Sequence, residues 1–150
     1  MRRIWIALVL ATVVASTAAC VPGGRVGEFA VALRQASSSA ISVADGLQAW
    51  RDDRLPTTTV QVLIADMGKS TVSAYGTLVD LETGSPEHAE LGIRARRLSQ
   101  EAVAGITRAG RLTAGRREAV AVPACIERLR AVGQELADAA DDPLAADTGS

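Results

Sequence analysis

The stretch "ETGSPEH", residues 82–88, decides how this chain is read. Gly84 suits the position just past a helix end, where the backbone turns left-handed and a Cβ is unwelcome. Ser85, Pro86 and Glu87 suit an N-cap and the first two positions of a new helix. The hydroxyl serves an orphan N–H, the proline ring needs no donor there, and the carboxylate sits at the positive end of the helix dipole. One helix ends here and another begins at once. So short a connection makes the two antiparallel neighbours.

The flanking residues fit that boundary. Upstream, Val60, Leu63, Met67, Ala74, Leu78 and Leu81 recur at helical spacing, with polar Ser70 or Thr71 in the gap. Downstream, Leu91, Ala95, Leu98, Ala102, Gly105 or Ile106, and Ala109 form the matching stripe. "TTTVQVLI", residues 57–64, has the only strand-like composition, and its onward phase makes it helix.

Further out lie two more stripes. Phe29, Leu33, Ala36, Ala40, Ala44 and Leu47 form the first, weakened by "SSSA" at 37–40 and closed by "RDDRLP" at 51–56. Cys125, Leu129, Val132 and Leu136 form the last, after the break "GRLTAGRRE" at 110–118. Pro123 either opens that helix or kinks one begun near Arg116. The pattern predicts an all-α, up-down-up-down four-helix bundle over residues 28–140, with a core rich in small residues. The alternative is a three-helix array with a loose fourth helix. Residues 141–150, acidic and small, read as a disordered tail.

The N-terminus has a different character. "MRR" is basic, and "IWIALVLATVVAS", residues 4–16, carries no charge. This is the layout of an export signal, and the strongly apolar part is shorter than the ~20 residues of a usual membrane span. Small residues follow up to Ala19, and then comes Cys20. The sequence Ala18-Ala19-Cys20 behind a basic start and an apolar run resembles the lipobox of bacterial lipoproteins, with Thr17 where that family prefers an aliphatic residue. The resemblance implies removal of residues 1–19, diacylation of the Cys20 thiol, and attachment to the extracytoplasmic face of the cell membrane. "VPGGRVG" then completes a flexible tether over residues 20–27. Two other readings use the same residues: an ordinary secretory signal cut after Ala19, and an uncleaved anchor running from Ile4 to Gly24.

Composition narrows the function. Arg2 and Arg3 leave with the signal, so 16 basic side chains become 14 against 17 acidic, a net −3. Only Phe29, Trp50 and Tyr75 then remain as aromatics, too few for a base-stacking platform. Nucleic acid is not the expected partner. His88 is the only histidine and Cys125 is left without a disulfide partner, so no zinc or di-metal carboxylate pattern forms. No glycine-rich phosphate loop with a lysine occurs. Neither an enzyme nor a cofactor is expected. Asp66 reads as exposed or as a buried carboxylate, and Cys125 as a small core hydrophobe.

The surface feature with most content is arginine. Arg94, Arg97, Arg108 and Arg111 fall close to one helical face, interrupted by Glu101, and Arg116 and Arg117 follow. Such a face suits anionic lipid headgroups or an acidic partner such as an envelope protein. The plainer alternative is a solvated helix face. The expected function is a lipid-anchored, non-enzymatic interaction module. The second is a carrier with a cavity for a small apolar ligand.

Overall fold

The apolar stripes become four long helices. A computed structural model describes residues 26–80, 86–115 and 119–146. Helix α1 runs Val26–Arg51, α2 Thr57–Asp80, α3 Pro86–Ala114 and α4 Val122–Ala140. A 3₁₀ turn, Ala119–Ala121, leads into α4, and a single turn, α5 (Pro143–Ala146), follows it. The helices pack antiparallel, α1 on α2, α2 on α3, α3 on α4 and α4 back on α1, which is the expected four-helix bundle.

The bundle is not square. Helix α1 also meets α3 across the diagonal, whereas α2 and α4 barely meet. Small residues permit this. Ala36, Ala40 and Ala44 of α1, and Ala95, Ala102 and Ala109 of α3, are all fully buried. Without longer side chains between them the two axes approach closely. Leucines fill the remaining space: Leu33, Leu47, Leu78, Leu98, Leu129 and Leu136 are each at most 1 % exposed.

The α1–α2 connection follows from its residues. Asp53 takes a left-handed φ of 55°, which aspartate tolerates better than most residues. The Arg54 and Leu55 N–H groups donate back to Ala49 O, closing the end of α1. Pro56 starts the next helix by accepting from Thr59 and Val60. Trp50 Nε1 donates to Thr57 Oγ1 at 3.1 Å, clamping the two helices. Hydrogen bonds from Gln48 and Arg54 hold the Asp52 carboxyl below its usual range.

The structure refines three expectations. The bundle begins at Val26, two residues into the expected tether, because Phe29 is already buried and Glu28 favours the first turn. The core stripe of α2 uses Ile64 and Thr71, and Leu63 and Met67 are only half-buried. Thr71 can be buried because its hydroxyl donates to Met67 O at 2.8 Å. The expectation of a disordered tail is corrected for Pro143–Ala146. Asp142 Oδ1 accepts from the Leu144 N–H at 3.0 Å, and Ala145 is fully buried against the bundle. Pro123 lies in the first turn of α4 and kinks nothing. The signal, Cys20, the tether up to Arg25, Ser85, and Arg116 with Arg117 lie outside the described residues.

The serines of "SSSA" are absorbed by a polar seam. The buried Ser39 hydroxyl lies 2.9 Å from Gln35 O and 3.2 Å from Ser70 Oγ of α2. Gln35 Nε2 donates to the same Ser70 Oγ at 3.0 Å. A helix-breaking tendency becomes a cross-helix contact.

Candidate interaction face

Helix α3 carries its arginines outside its core stripe. At about 100° per residue, Arg94, Arg97, Arg108 and Arg111 fan over roughly 100° of the helix surface. All four are exposed, as the spacing predicted, and Arg94 and Arg111 are about 25 Å apart along the axis.

Their partners set them apart from other arginines. Arg34 pairs with Asp141 at 3.0 Å and Arg130 with Asp45 at 2.9 Å. Arg51 and Arg54 share Asp52 at 3.6 and 3.1 Å. Arg128 pairs with Glu101. Among the described residues, none of the α3 arginines forms an ion pair. The acid that interrupts the face, Glu101, is thus neutralised from α4. Arg94 leans over a shallow cleft shared with Glu90, Asp142 and Leu144, and Arg108 lies near Cys125. By helical rotation Arg97 lies toward α4, one turn before Glu101, and Arg111 lies on the outermost side of α3.

The other candidates resolve more simply. Asp66 is exposed and lies 3.9 Å from Lys69 one turn on, so it is not a buried carboxylate. His88 sits half-buried in the first turn of α3. No three His, Cys, Asp or Glu side chains cluster as metal ligands among the described residues. Cys125 is buried, with Sγ donating to Gly105 O at 3.7 Å, and burial pushes its thiol above the ordinary value. It should therefore resist a thiol reagent in the native state and react fully in denaturant. Equal rates in both states would contradict the buried, protonated thiol.

Open clefts occur where the helices end. One of ≈ 680 Å³ lies at the far end from Val26, between Trp50, Thr57, Gln61, Leu112, Thr113 and Gly115. A smaller one adjoins it between Trp50, Arg51, Asp53 and Val122. Both open to solvent and neither penetrates the core. Sequence reasoning pointed to neither, because Trp50 and Leu112 become neighbours only when the ends of α1 and α3 meet. No helix among the described residues is long and apolar enough to cross a membrane. No protein-family model, curated protein or solved structure matches the chain.

Proposed function

We propose that this protein is a lipid-anchored, non-enzymatic helical module on the extracytoplasmic face of the cell membrane, acting through the outer face of α3 on an acidic surface. One observation carries the interaction reading. Every described arginine outside α3 is ion-paired, and none on α3 is. A solvated face of average character would share carboxylates as the other helices do. The carrier reading has weaker support, since the clefts among described residues are open and shallow.

The anchor rests on the likeness of Ala18-Ala19-Cys20 to a lipobox. Metabolic labelling with a fatty-acid probe should mark the wild-type chain and leave Cys20→Ala unmarked. Equal label in both would remove the anchor from the proposal.

A further inference from the structure

A strip of exposed side chains joins two helices. Helix α2 has only three charged residues, Asp66, Lys69 and Asp80. Its outer side shows Val72 and Val79, 55 % and 48 % exposed, and α3 adds Ile93 at 63 %. Contacts fix how α2 and α3 align. Gln100 Nε2 donates to Tyr75 Oη at 2.7 Å, Gly68 faces Ile106, and Gly110 faces Ile64. That register sets Ile93 close to the level of Val79. By helical rotation Arg96, half-buried and without an ion pair among the described residues, turns toward α2 one turn before Gln100. Arg111 stands on the outer side at the level of Thr113, whose carbonyl accepts from Gln61 of α2 at 3.4 Å.

The acids point elsewhere. By helical rotation Asp66 and Asp80 turn toward the α1 side of α2. Glu90 shares its cleft with Asp142, and Glu101 is held by Arg128 of α4. Helix α4 and its end carry Glu127, Glu135, Asp138, Asp141 and Asp142, diagonally across from α2. Among the described residues the strip thus combines exposed aliphatic side chains with unpaired arginines and no carboxylate.

We infer that Val72, Val79, Ile93, Arg96 and Arg111 form the surface on which the bundle lies against an anionic bilayer. This rests on the anchored reading proposed above. The tether supplies the occupant. Cys20 stands six residues before α1, and so short a segment spans at most ~20 Å, which keeps the bundle at the membrane. The strip runs along the helices rather than into a pocket, so it suits a plane. Arginine guanidinium groups reach phosphates while the aliphatic side chains sit at the headgroup boundary. The acidic α4 then faces away from the lipid.

The test uses residues 21–150, which keep every buried described residue, since these run from Phe29 to Ala145. A Val72→Trp variant, checked for native helicity, is mixed at low salt with vesicles of equal phosphatidylglycerol and phosphatidylcholine. The introduced indole should shift to the blue on these vesicles and not on phosphatidylcholine alone. Arg96→Glu with Arg111→Glu should lower the partition coefficient more than about tenfold, whereas Arg130→Glu on α4 should leave it within about twofold. Salt near 1 M should abolish binding, since screening then acts within about 3 Å. Equal binding of the double variant, or binding without a shift, would overturn the inference. So would a dimer that buries the indole without lipid, because a second copy would then own the strip. Fatty-acid labelling of Cys20 is scored apart: label without vesicle binding sinks the docking surface alone, and vesicle binding without label sinks the anchor alone.

Discussion

Leu98→Asp should unfold the bundle. Leu98 is 1 % exposed, in the middle of the α3 stripe. An ionised carboxylate there has no cation within the core, and a protonated one still lacks a hydrogen-bond partner. Burying it costs several kcal/mol, comparable with the ~5–15 kcal/mol that holds a domain together. Far-UV circular dichroism should lose its double minima, and urea unfolding should lose its cooperative transition. Ile93→Asp, on the exposed side of the same helix, should shift stability by no more than about 0.5 kcal/mol. A Leu98→Asp protein that unfolds cooperatively near the wild-type midpoint would mean that this stripe is not the core.

Gly133→Val should cost about 1–3 kcal/mol. A Cβ at Gly133 would stand 2.7 Å from Ile41 Cγ1 and 3.3 Å from Ser37 O. The side chain of Ile41 can give way, but the Ser37 carbonyl belongs to the α1 backbone. Relief therefore requires α1 and α4 to separate along the most extensive helix pairing in the bundle. Gly76 is the control. Nothing lies within 4 Å of a Cβ there, so Gly76→Ala should stabilise by about 0.5–1 kcal/mol through helix propensity. Urea midpoints of the two variants should move in opposite directions. A neutral Gly133→Val would show that the α1–α4 approach is looser than its geometry.

The fold was largely legible in the residues. The stripes of α1, α3 and α4 are buried residue for residue. Helix α2 is less clear because Leu63 and Ile64 are adjacent and equally apolar. Only the placement of α1 and α3 on either side of α2 selects Ile64, and only a bond to its own helix lets Thr71 in. The turn at Pro143 carries the same signal as Ser85-Pro86, a residue with a side-chain oxygen before proline, but four residues are too few to show a period. For the candidate face, spacing revealed the arginines on α3. It could not reveal which of them lack a carboxylate, since Arg128 and Glu101 lie 27 residues apart and meet only after the bundle closes. Nor could it reveal the valine strip of α2, because an exposed valine is recognised only once the opposite face is known to be the core.

The closeness of α1 to α4 also bears on how the chain acquires its structure in time. The first helix has its broadest contact with the last. Arg130 and Asp45 are 85 residues apart, and Arg34 and Asp141 are 107 apart. Most helical proteins fold fast because neighbouring segments meet early, and the entropy of closing a loop grows with its length. Here the loop that completes the core spans nearly the whole domain. Phe29, Leu33 and Ala40 must wait with one flank uncovered until Leu129, Val132 and Leu136 have been synthesised. A ribosome stalled before α4 therefore leaves that apolar flank of α1 uncovered.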